Sequence, residues 1–531
     1  MKRRALYILL VLLLSMFLRL YPTLLSGLPF STDSWPLIKN AEKLLELTPT
    51  PLKGELFDRY NIYWPLSQVY GAIFSEILQV SPLDSMRVYV PFAAAWTPLI
   101  LYLILRRLTG SDEVGFIAGL LLAAGGPYSI FTAGVTKETF ANIFLFQAIY
   151  LCCRTAFTIS DFLGFAITVV ALTMSHHVAY IVFLVIIANV LVAEIFLPRL
   201  RKVSTAKRLM TLFFSAVVGL VYYFAYAIHG LKVVPSFSEW LSAFSFQVLT
   251  FIAMFYVIAR PKPRKLPRSW IALIPIALVS LLVNQIVPIV PGAPSLSPIV
   301  SFYASTLIFM GLFVILGLYC AKEWKLDGVF YPVLFWVSSV LGLECYAVFG
   351  ASPGLSLTLA YRLPNFLIAG LASLAAIGIL RAYSSSRAII RCLSIVCLVF
   401  FVSSLASESY SAVILQENYL GYQWLYTPQD YQGALWVKRY NDGQVVYGDL
   451  KIKYLIGDYL GLSVDSGRGY IILLGEEKSD TEGLLTVYRA MEDNGYLLGP
   501  YGTSLPEDWK SNLDRRYDVV FHNVADIVYL K

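Results

Sequence analysis

The chain has 531 residues, of which 58% are hydrophobic and 14% charged, and its formal net charge is +7. Soluble proteins contain roughly 45–50% apolar and 25% charged residues. This composition, with a mean hydropathy of +0.67, therefore argues against a soluble protein, a disordered chain, a nucleic-acid-binding protein and a disulfide scaffold. It predicts a polytopic α-helical membrane protein.

The charge is unevenly distributed along the chain. Residues 407–531 contain 18 acidic and 11 basic residues, whereas residues 1–406 contain 16 and 30. We therefore predict two domains: a transmembrane domain over 1–406 and a small soluble domain over 407–531.

Apolar runs of membrane-spanning length fill the first domain. Runs of roughly 17–25 residues can cross a bilayer. About thirteen such runs are predicted, at residues 5–25, 84–107, 114–131, 138–156, 161–176, 178–198, 209–229, 240–260, 269–290, 299–321, 328–350, 363–381 and 388–406. The apolar stretch 65–80 is shorter, and we interpret it as a helix lying on the outer membrane surface.

The basic residues predict the orientation of the chain. Lys2, Arg3 and Arg4 precede the first span, which places the N-terminus in the cytoplasm. A cleaved signal peptide is the competing interpretation, although Arg19 interrupts its apolar core and no small-residue cleavage site follows. Further basic residues recur on every second loop, at residues 106–107, 154, 199–208, 260–268, 322–325 and 381–391. An odd number of crossings then gives a multi-pass cell-membrane protein with an extracytoplasmic C-terminal domain.

The first outer loop, residues 26–83, is the longest loop between spans and a candidate for function. It contains the helix-start pattern STDSWP at 31–36, followed by an amphipathic run. Asp33 lies at the positive end of this predicted helix, where an ionised carboxylate is favoured and can accept a proton or bind a cation. The alternative is that Asp33 only starts the helix.

The next two outer loops carry two further candidate groups. Glu138 is an isolated acid next to Lys137 at the predicted membrane edge, where a charge is costly unless it is paired or used. A solvated acid at a helix start is the equally weighted alternative. His176 and His177 can bind a metal, donate to a phosphate or carry a proton, but rings at i and i+1 point about 100° apart on a helix, so we expect at most one to face a common site.

The last outer loop contains Arg362, which breaks the alternation of basic residues. A guanidinium offers a fork of donors suited to phosphate oxygens. The alternative is that Arg362 extends to the headgroups of the outer leaflet. The acids, the histidines and this arginine all lie on the predicted outer face, where a lipid-phosphate-linked substrate would need both a cation and a carboxylate.

In this layout the chain resembles the GT-C superfamily of membrane glycosyltransferases, and within it the oligosaccharyltransferase catalytic subunit and the protein mannosyltransferase-like enzymes. Asp33-Ser34-Trp35 is similar to the first acidic motif of the family. Glu138 lies where the second acidic motif is expected, and Arg362 where a donor-phosphate arginine is expected. The resemblance implies a GT-C-like fold and an inverting transfer from a polyprenyl-phosphate sugar to a protein, lipid or glycan acceptor.

The resemblance also implies roles for individual residues. Asp33 and Glu138 are the expected catalytic residues, and Arg362, Lys137, His176 and His177 the expected ligands of the donor phosphate. A divalent cation, Mg²⁺ or Mn²⁺, would be held by Asp33, Glu138 and His177. The chain departs from the family in having Lys137 beside a single Glu138 instead of a pair of metal ligands.

Two alternative functions remain open. An oligosaccharyltransferase would transfer a lipid-linked oligosaccharide to protein asparagine, but the WWDYG signature is absent, and the nearest stretch is VVYGD at 445–449. A transporter or flippase of lipid-linked sugars would use acids near the bilayer midplane, of which Glu344 is the clearest.

The C-terminal region is predicted to form a small α/β domain. Thr427 and Pro428 begin a predicted helix that runs to Tyr440. Strands are predicted at residues 444–447, 470–474, 485–488, 519–522 and 527–530. The acidic, tyrosine-rich composition suggests binding of the acceptor or of a partner, although an ordinary solvated surface explains it equally well.

Overall fold

The computed structural model describes residues 2–47, 49, 51–154, 158–197, 200, 205–230, 236–259, 273–287, 298–323, 327–414, 423–476, 482–498 and 502–530. These residues form two compact units. We call them the helical unit, which comprises Met1–Arg19, Phe92–Thr132 and Lys137–Ser409, and the mixed unit, which comprises Leu20–Pro91, Ala133–Thr136 and Tyr410–Lys531. The division into domains at residues 406 and 407 stays a prediction from the sequence.

The described residues up to 414 lie mostly in helices. In chain order these are α1 (Lys2–Ser26), α2 (Ser34–Glu46), α3 (Leu66–Leu78), α4 (Pro82–Ala94), α5 (Thr97–Thr109), α6 (Asp112–Ala124), α7 (Gly126–Ala133), α8 (Lys137–Cys152), α9 (Ile159–Ser175), α10 (His177–Phe196), α11 (Thr205–Ala225), α12 (Phe237–Ala259), α13 (Leu273–Val283), α14 (Pro298–Glu323), α15 (Asp327–Phe349), α16 (Pro353–Ala360), α17 (Leu363–Tyr383) and α18 (Ala388–Ile414).

The helices confirm a polytopic α-helical membrane protein. Within the described residues, nine helical segments are long and apolar enough to cross a membrane, or ten if the bent pair α6 and α7 forms one span. The predicted surface stretch 65–80 contains helix α3, which is not among these segments. The two ends of the predicted span 269–290, at 269–272 and 288–290, lie outside the described residues, as do the basic residues at 199, 201–202, 260–268 and 325.

The predicted span 114–131 is broken in the structure. Helices α6 and α7 meet at an angle of 62° at Gly125, just before Pro127, which cannot donate a backbone hydrogen bond. The buried Arg19 donates from Nη1 to the Ala123 carbonyl at 3.2 Å, and its guanidinium lies 5.2 Å from the ring centre of Tyr128. This charged side chain therefore stabilises a carbonyl near the end of α6, where the helix ladder stops.

Small residues and a buried ion pair hold the helical unit together. Helices α14 and α17 approach so closely that a Cβ atom at Gly317 would clash with the Leu374 carbonyl, and one at Gly378 with the Phe313 carbonyl. Elsewhere in this unit, Arg208 of α11 donates from Nε to Glu194 of α10 at 3.1 Å, with both side chains buried.

The C-terminal part of the mixed unit contains a five-stranded sheet. Its helices are α19 (Pro428–Tyr440), α20 (Leu450–Ile452), which continues into the π-helical segment Lys453–Tyr459, α21 (Ser466–Leu473), α22 (Met491–Asn494) and α23 (Trp509–Arg516). Its strands are β1 (Val445–Tyr447), β2 (Val464–Asp465), β3 (Gly483–Tyr488), β4 (Tyr496–Leu497), β5 (Gly502–Thr503), β6 (Asp518–His522) and β7 (Asp526–Leu530). The sheet order is β2-β1-β3-β7-β6, with β4 and β5 pairing separately.

The sheet confirms most of the predicted elements of this region. Strand β1 is parallel to β2 and β3, whereas β7 is antiparallel to β3 and β6. Helix α19 begins after Thr427, whose side chain forms a reciprocal cap with Asp430. The predicted strand 470–474 is wrong, because these residues lie largely in helix α21, which Asp465 caps by accepting from the Arg468 amide at 2.9 Å.

Within the mixed unit, helix α2 packs on the C-terminal elements through Trp35. The indole is fully buried and stacks on Tyr431 at a centroid distance of 5.9 Å. It meets the rings of Tyr426 and Tyr459 at 5.1 Å each. Because each buried aromatic ring removes much apolar surface from water, this cluster fixes the start of α2, and with it Asp33.

Candidate active site

The candidate acid of the second predicted outer loop lies at the start of helix α8. Lys137 is the first residue of the helix and Glu138 the second, and they are only 8% and 7% exposed. Thr139, the third residue, donates to the Phe131 carbonyl at 2.9 Å. The free N–H groups of a helix N-terminus favour the Glu138 carboxylate and disfavour the Lys137 ammonium.

Two residues at the start of helix α17 face this carboxylate. Arg362 Nη1 lies 3.7 Å from Glu138 Oε2, and Asn365 Nδ2 donates to Glu138 Oε1 at 3.4 Å. Arg362 also donates from Nε to the hydroxyl of Tyr361 at 3.0 Å. The structure thus brings together Glu138 and Arg362, which lie in different predicted loops. The guanidinium also contacts the side chain of Tyr361.

Two asparagines of this group were not identified from the sequence. Asn142 donates from Nδ2 to the Glu138 carbonyl at 3.0 Å, so that it braces the first turn of α8. Within the described residues, Oδ1 of Asn142 and Oδ1 of Asn365 have no hydrogen-bond partner although both are buried. The sequence signal that could have identified each asparagine is a strongly polar residue in the first turns of an otherwise apolar helix.

His176 lies between helices α9 and α10 and caps the second of them. Its backbone is extended, with φ −161° and ψ 123°, and its Nδ1 accepts from the Ala179 amide at 3.3 Å. This cap assigns the neutral tautomer with the proton on Nε2. Nε2 lies 3.5 Å from Arg362 Nη1, so two donors face each other at this point. Such a pair suits an acceptor with negative charge, which both could bind.

The rings of the two histidines lie close together. Their ring centres are 5.0 Å apart, and His176 lies outside the helix that His177 begins. Burial is the main cause that lowers the pKa of His176 well below its usual range, and the neighbouring His177 and the positive charges of Arg362 and Lys137 lower it further. His176 is therefore neutral at physiological pH.

Asp33 belongs to the mixed unit and directly precedes helix α2. Its side chain makes no capping hydrogen bond, and its amide donates to Ser31 Oγ at 3.2 Å. Ser31 has φ 94°, a conformation that non-glycine residues rarely adopt, so the turn before Asp33 is strained. The structure thus gives no support to the alternative that the carboxylate only caps the helix.

The residues around Glu138 fit a divalent cation poorly. No group of three or more His, Cys, Asp and Glu side chains that could hold a metal ion occurs in the described part of the chain. The single carboxylate here faces Arg362 and Asn365, whereas Mg²⁺ and Mn²⁺ bind preferentially to several anionic or carbonyl oxygens.

The fold is similar to that of solved archaeal structures. The oligosaccharyltransferase AglB from Archaeoglobus fulgidus, in complex with an inhibitory peptide and a dolichol-phosphate, aligns with a TM-score of 0.59 and 11% identity over 92% of this chain and 70% of that chain. The oligosaccharyltransferase of the same organism, tethered with an acceptor peptide containing the NVT sequon, aligns at 0.58 and 12% over 92% and 69%. Its complex with Zn and sulfate aligns at 0.54 and 13% over 92% and 68%.

No protein-family profile matches the chain, and no curated protein matches it in sequence. The similarity therefore concerns the fold. The protein has a fold similar to that of the archaeal oligosaccharyltransferase, which is the kind of fold that the resemblance in the sequence implied.

Proposed function

We propose that the protein is a membrane glycosyltransferase that takes its sugar from a polyprenyl-phosphate-linked donor. The observation that carries this proposal is the group around Glu138, where Arg362 and the Nε2–H of His176 are donors and Lys137 is a buried cation. A phosphate can accept hydrogen bonds from these donors, and its negative charge is favoured near the two cations. A lipid-linked phosphate is the form in which that anion reaches a protein made largely of apolar helices.

The phosphate is the leaving group of the proposed reaction. The bond between the anomeric carbon and the phosphate oxygen breaks, and the electron pair stays on the phosphate. Arg362 stabilises this developing charge with its fork of donors, and His176 adds one neutral donor. Because the donors are already in place, little reorganisation is needed as the charge develops.

Asp33 is the proposed general base. An acceptor hydroxyl attacks the anomeric carbon from the side opposite the phosphate, which inverts its configuration, and Asp33 takes the hydroxyl proton. This role rests on the sequence motif and on the uncapped carboxylate in its strained turn. General-base catalysis contributes about 10²–10⁴-fold to a rate. Glu138 is proposed to orient the acceptor while its charge keeps Arg362 in place.

Transfer of an oligosaccharide to protein asparagine is a second candidate. The fold similarity to oligosaccharyltransferase structures that contain an acceptor peptide or a dolichol-phosphate favours it. The absence of the WWDYG signature favours a different acceptor. Sequon peptides offered with a lipid-linked oligosaccharide, and polyprenyl-phosphate sugars offered with lipid or glycan acceptors, separate the two candidates.

The test is sugar transfer by the full-length protein in liposomes, from polyprenyl-phosphate donors with a radiolabelled sugar. The variant Glu138→Gln keeps the size of the side chain but removes the charge that orients the acceptor and holds Arg362, and we expect a rate at least about tenfold lower, as for a lost charge-assisted contact. Glu55→Gln, in an exposed part of the first outer loop, is the matched control and should behave as wild type. No transfer by the wild type from any donor would contradict the proposal.

A further inference from the structure

We infer that the ammonium of Lys137 takes the place of a divalent cation at this site, so that the donor phosphate is held by side-chain charge alone. The inference rests on the proposed function, because it concerns how the same phosphate is bound. It reverses the expectation, drawn from the family resemblance, of a metal held by Asp33, Glu138 and His177. Three properties of the described residues support it.

The first property is that both oxygens of the Glu138 carboxylate face hydrogen-bond donors. Each oxygen of Glu138 already faces a donor, with Arg362 Nη1 3.7 Å from Oε2 and Asn365 Nδ2 3.4 Å from Oε1. A divalent cation bound to Glu138 would have to displace the guanidinium or lie beside it. Because the two are both positively charged, neither arrangement is favourable without further carboxylates.

The second property is the position of Lys137 in the sequence. The residue beside Glu138, where the resemblance leads us to expect a further metal ligand, carries a positive charge instead of a lone pair. Lys137 and Arg362 both lie close enough to His176 to act on its imidazole, so two fixed cations lie in this part of the structure.

The third property is the electrostatic field at the start of helix α8. An ammonium at the first position of a helix is close to N–H groups that are themselves positive, and its burial adds a cost of desolvation. The Arg362 guanidinium adds a second fixed positive charge near Glu138. A phosphate brings negative charge to these cations, whereas a divalent cation would add positive charge.

The first experiment measures metal binding and needs no variant. Wild-type protein in detergent is titrated with Mn²⁺ and the bound ion is followed by electron paramagnetic resonance. We expect no stoichiometric Mn²⁺ site, and sugar transfer within about twofold of its starting rate in excess EDTA, a change worth less than about 0.5 kcal/mol. One tightly bound Mn²⁺ per chain, or transfer lost in EDTA and restored by Mn²⁺, would overturn the inference.

The second experiment measures binding of decaprenyl phosphate, a lipid phosphate without a sugar. Lys137→Met removes the charge but keeps the length of the side chain, and we expect affinity about tenfold to a hundredfold lower, as for a lost charge-assisted contact, with no recovery in Mg²⁺ or Mn²⁺. Lys137→Arg keeps the charge and should remain within about threefold of wild type. Lys53→Met, an exposed lysine of the first outer loop, is the control.

These readouts are separable from the proposed function. If the wild type transfers no sugar from any donor, the proposed function fails, whereas the Mn²⁺ and decaprenyl phosphate measurements still decide the role of Lys137. Should Lys137→Met fold poorly, Lys137→Gln is the substitute and Lys137→Arg still tests the charge. Unchanged decaprenyl phosphate affinity in a folded, uncharged variant would overturn the inference.

Discussion

Arg362 Nη1 lies 3.7 Å from Oε2 of Glu138, beyond ordinary hydrogen-bonding distance but within that of an ion pair. The guanidinium therefore lies near the Glu138 carboxylate without an ordinary hydrogen bond between these two atoms. We expect Arg362→Gln to lower sugar transfer about 10²–10³-fold, the cost of removing one preorganised donor to a developing charge. Arg362→Lys should also lose activity, because an ammonium cannot reproduce the fork of donors.

The measurement for Arg362 is the transfer rate in liposomes at matched protein insertion. Arg391→Gln, an exposed arginine at the start of helix α18, is the control and should retain the wild-type rate. Equal rates for wild type and Arg362→Gln would remove Arg362 from the site.

Asp33 offers a test that separates catalysis from helix capping. Because its side chain makes no capping hydrogen bond, Asp33→Asn should leave the melting temperature of the protein unchanged. The same change should lower the transfer rate by about 10²–10⁴-fold, since an amide cannot accept the acceptor proton. Binding of decaprenyl phosphate should be unaffected. A variant that melts earlier but transfers sugar normally would restore the capping interpretation.

The charged members of the site could be predicted from the sequence because each is isolated in an apolar context. Glu138 and Arg362 stand out from the alternation of basic loops, and the structure brings them together within the helical unit. Asn365 could not be predicted, because an asparagine in an apolar helix is equally consistent with a backbone contact. Its role depends on which residue of α8 lies opposite, and this is a property of the packing alone.

Local rules also explain where the predictions of the fold failed. The apolar run at 470–474 is too short for its periodicity to distinguish a strand from a helix. The better signal is Asp465, five residues earlier, which is a typical N-cap residue and caps this helix. The sequence Gly125-Gly126-Pro127 indicates a helix break within the predicted span 114–131. Counting apolar residues does not detect this break. The proximity of the two histidine rings followed from the end of helix α9 at Ser175, which hydropathy does not mark.

The contact between helices α14 and α17 predicts a strong dependence on side-chain size. Gly317→Leu would place its side chain against the Leu374 carbonyl, so the helices would have to separate. Overpacking a close contact costs about 1–3 kcal/mol, and we expect the melting temperature in detergent to fall by about 3 °C or more. Gly311→Leu, in the same helix but with open space at its Cβ position, is the matched control. Equal melting temperatures for the two variants would contradict the contact.

Asp526, at the start of strand β7, predicts how the stability of the C-terminal region depends on pH. Burial raises the pKa of Asp526 far above its usual value, and the negative charge of Asp430 on α19 raises it further, while the ammonium of Lys451 opposes both. The folded protein thus binds a proton that the unfolded chain releases near pH 4. The stability from this group is full below that pH and is lost as the pH rises towards the folded pKa, by up to about 1.4 kcal/mol per pH unit.

Asp526→Asn removes this titration, so its stability should change less between pH 5 and pH 8 than that of the wild type, and at pH 8 the variant should be the more stable. The full-length protein is heated at both pH values, and cleavage of the C-terminal region by a protease reports its unfolding. Asp493→Asn, an exposed acid of α22, controls for the loss of one negative charge. A wild type more stable at pH 8 than at pH 5, with the same trend in Asp526→Asn, would contradict a raised pKa of Asp526 in the folded protein.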